Sequence, residues 1–397
     1  MSSNNAEIER EVPGSTAVTD ESNEPIISVP QTFEPAREQK PSNEPILEAV
    51  HLKKDFTLRS IKLFGPAQAV HAVEDTSLAL YPGKATALVG ESGSGKTTVA
   101  RLLGRLHEPT GGEIRFNGEP VGNSRKLLRA YRRHVQYIFQ DPFSSLNPAH
   151  GVRYHLARSL RLYGYAHNAN EEREQILALL ERVNLTPADH FIDKFPHQLS
   201  GGQRQRIAIA RVLAVRPSVI LADEPVSMLD VSIRLDVLNL LLRLKEEDGL
   251  AFLFITHDIA SARYFAEETL VMYAGQLVEG GPTEEVIQNP RHPYSQLLLS
   301  AAPDPDTMGH RKAADDALDR KTVTKGLTSM GEATPGGRGE PPSLINPPGG
   351  CRFHPRCPHA MPVCSQYRPE RTDLGNNHWT HCFLYSKGEE VSGVSST

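Results

Sequence analysis

Two adjacent carboxylates, Asp223 and Glu224, end the apolar run Val219-Ile220-Leu221-Ala222, and a glycine-rich run stands well upstream at Gly90-Glu91-Ser92-Gly93-Ser94-Gly95-Lys96-Thr97-Thr98. The spacing Gly-x4-Gly-Lys-Thr has a chemical use. Glycines let successive backbone N–H groups curl inward as a nest for phosphate oxygens, and a following helix turns its positive end to the same oxygens. Lys96 would reach the β- and γ-phosphates, and the Thr97 hydroxyl would ligate Mg²⁺. Asp223, at the C-terminal end of a buried strand, is placed to hold that Mg²⁺ directly or through water, and Glu224 to polarise an attacking water as general base. The bland alternatives are a chance glycine-rich turn and an Asp-Glu-Pro turn after a strand.

His257 follows the apolar run Phe252–Thr256 and could hold the water and Glu224, or be structural. Gln140, after Val135–Phe139, is a neutral amide that could touch Mg²⁺ or water, or be an ordinary loop residue. The run Leu199-Ser200-Gly201-Gly202-Gln203 lies between the phosphate loop and the carboxylates and begins a helical pattern.

The elements that must position these groups are legible in outline. Strand patterns occupy Ile46–Val50, Ala85–Val89, Ser218–Ala222 and Leu250–Thr256, with helical patterns at Thr97–Leu106, Asp230–Glu246 and Ser261–Glu268. Their alternation predicts a three-layer α/β core. Residues 141–200 change character, with helical patterns near Tyr154–Tyr163 and Glu171–Val183, and are expected to form an inserted helical subdomain. The expected organisation is a disordered tail over 1–45, an ATPase domain over 46–302, a flexible linker over 303–345, a cysteine-rich module over 346–386 and a disordered tail over 387–397.

Composition narrows the function. A net charge of −5 over 397 residues gives no basic footprint, so no nucleic-acid partner is expected. No apolar run of membrane-spanning length and no signal-peptide pattern occurs, which predicts a cytosolic chain reaching a membrane only through partners. All four cysteines, Cys351, Cys357, Cys364 and Cys382, crowd into the last stretch with spacing Cys-x5-Cys-x6-Cys-x17-Cys. In a reducing compartment this favours metal over disulfides. The wide spacing suits a [4Fe–4S] cluster better than zinc, although His354, His359, His378 and His381 could complete a zinc site, and four free thiols remain a third reading.

Taken together, the phosphate loop, Leu199–Gln203 and the Asp223-Glu224 strand resemble the ATP-binding subunits of ABC transporters over about residues 46–302. The resemblance implies a P-loop NTPase fold, with a RecA-like core, an antiparallel β subdomain and a helical subdomain, here followed by a small Cys-rich C-terminal extension. It implies that Leu199–Gln203, with Ser200, Gly201, Gly202 and Gln203 at the nucleotide, form the signature, Ser200 and Gly202 meeting the γ-phosphate bound to the opposing subunit. Ser227-Met228-Leu229-Asp230 is similar to the family's D-loop, departing from it at Met228, where a small residue is usual, and retaining Asp230. An aromatic near the domain start usually stacks on adenine, and Phe56 is the candidate, with Phe64 and Tyr81 as rivals.

Finer resemblance is to the oligopeptide/dipeptide importer branch, and to its second, F-type ATPase subunit. It rests on Phe139–Pro148, Phe195-Pro196-His197-Gln198, Asn289–Tyr294 and Asn346–Cys351 with Cys357 and Cys364 following. It implies an ATPase with ATP and Mg²⁺ as cofactors that energises peptide uptake from the cytoplasmic face of the membrane. The implied partners are a second ATPase subunit of different sequence, a pair of integral-membrane permeases and an extracytoplasmic substrate-binding protein. Such C-terminal extensions can carry [4Fe–4S]. Nickel and oligosaccharides are the alternative cargoes of the branch, and a non-transport ABC ATPase on ribosomes or DNA is the alternative class.

Overall fold

The computed structural model describes residues 44–58, 68–141, 145–300 and 339–386. Residues 1–43 of the tail expected over 1–45, the tail expected over 387–397, residues 303–338 of the linker expected over 303–345, and Phe64 lie outside the described residues.

Two sheets carry the architecture. The smaller is antiparallel, in the order β2-β1-β4-β5, with β1 at Leu47–Leu58, β2 at Gln68–Leu80, β4 at Gly111–Phe116 and β5 at Glu119–Pro120. The larger has the order β11-β12-β10-β9-β3-β8-β7-β6, with β10 at Gln276–Pro282, β11 at Thr372–Gly375 and β12 at His378–Thr380. Its parallel part comprises β6 (Val135–Ile138), β7 (Val219–Asp223), β8 (Ala251–Thr256), β3 (Ala85–Val89) and β9 (Glu268–Tyr273). Strands β3, β7 and β8 are buried throughout, which is why they read as continuous apolar runs without alternation.

Helices flank this sheet. Helix α1 (Lys96–Leu103) starts at the phosphate loop, with Gly95 as its N-cap, and buries Val99, Leu102 and Leu103 against the core containing Leu88, Leu221 and Leu253. After α2 (Arg125–His134), the interval 141–200 holds α3 (Val152–Leu162), α4 (Ala169–Arg182) and α5 (Asp189–Ile192). Asn168 caps α4 by accepting from the N–H groups of Asn170 and Glu171, which offsets donors the first turn cannot pair internally. Helix α6 (Gly201–Leu213) then packs against α3, α4 and β6, and α7 (Val231–Asp248) ends at Gly249 in the left-handed conformation. The remaining helices before the undescribed stretch are α8 (Ile259–Phe265), α9 (Thr283–Gln288) and α10 (Pro293–Ser300).

The cysteine-rich segment joins the main sheet. Its strands β11 (Thr372–Gly375) and β12 (His378–Thr380) extend the main sheet, β12 pairing antiparallel with β10 (Gln276–Pro282). Trp379 is 5% exposed and sits in the same apolar cluster as Leu88 and Leu270. Gly280 lies beneath it, where an added Cβ would stand 2.6 Å from the Trp379 ring. Through Trp379 the extension shares the cassette's core, as expected for a segment too short to bury a large core alone. Helix α11 (Pro362–Gln366) completes it.

Candidate nucleotide site

The loop between β3 and α1 is built as a tight phosphate nest. Gly95 has φ +105°, and a Cβ there would stand 2.4 Å from the Ala72 carbonyl oxygen, so no other residue fits without moving β2. Ser92 and Gly93 are exposed at the tip, whereas Ser94 and Lys96 are buried. Lys96 Nζ donates to the carbonyl oxygens of Gly90 (2.8 Å) and Glu91 (2.7 Å) and to Ser94 Oγ (3.4 Å). Burial pulls its pKa below the ordinary lysine range, partly opposed by Glu224, Asp223 and Glu91, so this ammonium gains from an incoming anion. Thr98 continues into α1.

The carboxylates converge on the same place. Thr97 Oγ1 donates to Asp223 Oδ1 at 3.0 Å, and Tyr137 Oη donates to Asp223 Oδ2 at 2.7 Å. Burial raises the Asp223 pKa, with the hydrogen bonds from Tyr137 and Thr97 working against that rise. A hydroxyl and a carboxylate side by side are hard oxygen donors of the kind Mg²⁺ takes. Glu224 accepts from Gln140 Nε2 at 2.9 Å and lies 3.2 Å from His257 Nδ1. Its backbone sits at φ +47°, a conformation costly for a non-glycine residue. The turn holds it there: the Glu224 N–H donates to Ile255 O at 3.0 Å, and Ser227 Oγ donates to Glu224 O at 3.0 Å.

Ser200–Gln203 form a reciprocal cap at the start of α6. Ser200 Oγ accepts from the Gln203 N–H at 3.3 Å, and Gln203 Oε1 accepts from the Ser200 N–H at 3.0 Å. Gly202 lies where a Cβ would stand 2.5 Å from Ile233 Cγ2, which ties this turn to α7 just after Asp230. These residues bond to one another, and Asp230 is exposed at the N-terminus of α7 without a side-chain cap bond.

Register separates the adenine candidates. Phe56 pairs with Val70 on β2, close in the strand to Ala72, whose carbonyl lies against Gly95. Its ring meets His107 edge-on at 5.4 Å, with Lys54 Nζ 5.1 Å from its centre. Tyr81 precedes β3 at the end away from the phosphate loop, roughly 16 Å back at the usual rise of a strand, and is thereby removed as a rival.

The four cysteines line one small cavity, with Phe353 and Met361 among its walls. The Cys351 N–H donates to Cys364 O at 2.9 Å, which ties the first and third together. Burial pushes the Cys351 thiol up to about 11 and the Cys382 thiol up to about 12. Among the described residues no group of three or more His, Cys, Asp or Glu side chains is arranged to hold a metal ion. The zinc and iron–sulfur expectations therefore find no metal-binding geometry there. His378 is committed elsewhere, 2.7 Å from buried Glu279, and His381 Nδ1 contacts Pro369 O.

Sequence reasoning missed Tyr137. A tyrosine in an apolar strand reads as core, and only its pairing with Asp223 marks it as part of the site.

Comparisons with known proteins show the family. The family model described as ABC transporter matches residues 73–227, and the one described as oligopeptide/dipeptide transporter, C-terminal region, matches 278–326 and 324–364. The chain is 40% identical over 347 residues to the oligopeptide transport ATP-binding protein AppF of Bacillus subtilis (strain 168), covering 87% of this chain and 99% of that one. It is 40% identical over 347 residues to the dipeptide transport ATP-binding protein DppF of Escherichia coli (strain K12), covering 87% and 96%. Among solved structures it is similar to cbiO1 of Clostridium perfringens, part of the ABC transporter complex cbiONQ (TM-score 0.54, 28% identity, 62% of this chain and 92% of that one). It is also similar to the dimeric ATP-binding cassette MJ0796 bound to ADP and Pi (TM-score 0.53, 30% identity, 60% and 98%).

Proposed function

Because the chain belongs to the ATP-binding subunits of oligopeptide/dipeptide ABC transporters, we propose that it hydrolyses ATP at the site built on Gly90–Thr98, Asp223, Glu224, His257 and Gln140 to energise peptide uptake. It is an ATPase coupled to transport, and its transport partners are membrane permeases. The observation that carries the site assignment is the convergence of Thr97 with Asp223, and of Gln140 and His257 with Glu224, beside one phosphate loop.

The roles follow from the contacts. The nest and Lys96 hold the phosphates, and Lys96 leaves its loop carbonyls to do so. Thr97 and Asp223 would hold Mg²⁺, which when bound neutralises phosphate charge. Glu224 accepts the proton of the attacking water. His257 and Gln140, bonded to it, fix its orientation. Phe56 offers its ring to adenine. Replacing Tyr137 with phenylalanine keeps the ring and removes the donor to Asp223, at a cost of about 1 kcal/mol. The expected result is a roughly five-fold lower ATPase rate at limiting Mg²⁺, restored at high Mg²⁺. An unchanged Mg²⁺ titration would count against Asp223 as the ion's holder.

The signature turn would act on the nucleotide of a second ATPase subunit, a different chain, and this one's nucleotide would be met by the partner's signature. Supporting this, Met228, Val231 and Leu235 leave apolar side chains exposed beside Asp230, with Val231 at 80% exposure. A groove of about 690 Å³ in the helical region, lined by Tyr154, Leu162 and Phe195 with Arg153 and Arg158, suits a permease loop at the cytoplasmic face. The permeases would number two, served by an extracytoplasmic substrate-binding protein. Among the described residues no helix is long and apolar enough to cross a membrane.

The presence of all four cysteines on the walls of one cavity is the ground for a [4Fe–4S] cluster on Cys351, Cys357, Cys364 and Cys382, in a structural or regulatory role, which would need their side chains to close together. Anaerobic purification followed by iron and sulfide analysis is expected to give stoichiometric cluster. Metal-free protein with all four thiols titratable would end that reading, and zinc alone would replace it.

Uptake tests the whole. Cells carrying Glu224→Gln should lose uptake of labelled peptides while nickel uptake is untouched. Intact peptide uptake with lost nickel uptake would move the cargo to metal.

A further inference from the structure

The residues between the first two cysteines, Arg352-Phe353-His354-Pro355-Arg356, reach the phosphate loop. Arg356 donates from Nη1 and Nη2 to the two carboxylate oxygens of Glu91, at 2.9 and 3.1 Å, and from Nη1 to the Tyr273 hydroxyl at 3.2 Å. Glu91 is the second residue of the phosphate loop, and its other polar groups are also committed. Its N–H donates to Tyr294 Oη at 2.7 Å, and its carbonyl accepts from Lys96 Nζ at 2.7 Å. Tyr294 is fully buried, and Phe353, 1% exposed, packs on both Tyr273 and Tyr294 with ring centres 5.2 and 5.5 Å away. Arg352 reinforces the attachment from the other side. It donates to Ala274 O and to the Glu74 carboxylate, and the neighbouring Gly275 N–H donates to Ser94 O of the phosphate loop at 2.8 Å.

We propose that Arg356 is a positioning residue for ATP binding, acting through Glu91. Two physical effects follow from the pairing. A guanidinium fork on a carboxylate fixes the plane and place of Glu91, and so of the carbonyl from which Lys96 departs. It also neutralises a carboxylate that would otherwise stand beside an incoming triphosphate and repel it. The Arg356 side chain is only 11% exposed and the Glu91 side chain 28%, so water and salt screen the pair less than an open surface bridge. The cysteine segment thus becomes part of the ATP site of its own chain, and a displacement of Cys351–Cys357 is felt at Glu91.

This rests on Gly90–Thr97 being the ATP site, and Lys96→Ala tests that reading separately. The measurement is calorimetric MgATP affinity and steady-state ATPase of the purified full chain, with its thermal midpoint. Arg356→Ala should bind MgATP roughly ten-fold more weakly, the size of one charge-assisted hydrogen bond, with KM raised and kcat at saturation little changed. Adding Glu91→Gln to Arg356→Ala removes the unpaired charge and should restore most of the affinity. If Lys96→Ala binds as wild type does, the ATP site lies elsewhere and the proposal falls with it. If Lys96→Ala loses binding while Arg356→Ala matches wild type, the site stands and the role of Arg356 is overturned. A lowered thermal midpoint with weak binding that Glu91→Gln does not rescue makes Arg356 a mere anchor of the cysteine segment, which also overturns it.

Discussion

A Glu224→Gln chain binds MgATP and turns it over at least ~100-fold more slowly than wild type, the loss expected when a positioned general base is removed. Glutamine has the same shape, and the turn that holds residue 224 at φ +47° depends on backbone bonds to Ile255 and on Ser227, none of which involve the carboxylate. The side chain is mostly enclosed, with 18% exposure, so the amide stays where the carboxylate was. What is lost is the capacity to take a proton from water, together with the charge that draws His257 and Gln140 to it. Phosphate release and equilibrium ATP binding, measured on the same preparation, separate chemistry from affinity. Near-normal turnover would remove Glu224 from its assigned role. Lost binding would instead indicate that the strained turn had collapsed.

Lys96→Ala is expected to weaken MgATP binding by roughly 100-fold, as befits a buried cation bonded to anionic oxygens. This ammonium is held by Gly90 O and Glu91 O, and burial depresses its pKa. The loop carbonyls it leaves are replaced by phosphate oxygens, so the ammonium trades neutral acceptors for charged ones. Removing it leaves the nest of N–H groups in place but takes away the one ammonium shown within that loop. Calorimetry gives the affinity directly. An alanine variant binding within a few-fold of wild type would show that the backbone nest alone supplies the phosphate affinity.

Several parts of this arrangement were readable without a structure, for a local reason. A phosphate nest needs glycines, a lysine and a threonine at fixed spacing along one stretch of chain, and Gly90–Thr97 carry all of it. The buried strands β3, β7 and β8 announce themselves as unbroken apolar runs because both their faces are covered. The helix start at Leu199–Gln203 is likewise local, and the structure adds the reciprocal cap of Ser200 and Gln203. The hairpin of β9 and β10 was not read, because short buried strands next to a helix look like its continuation.

The linear motifs thus point to phosphate chemistry and to its candidate residues, since each motif closes over a few positions and its residue types have few other uses together. Which distant groups support them depends on the folded arrangement. Tyr137 on Asp223, Arg356 on Glu91 and Trp379 in the cassette core each join residues far apart in the chain. A tyrosine in a strand, an arginine in a loop and a tryptophan in a tail have many uses, and no spacing rule links them to a partner. Their pairing follows from how the main sheet extends through β10 into β12, and from the aromatic packing of Phe353 on Tyr273 and Tyr294 that brings the cysteine segment to the phosphate loop.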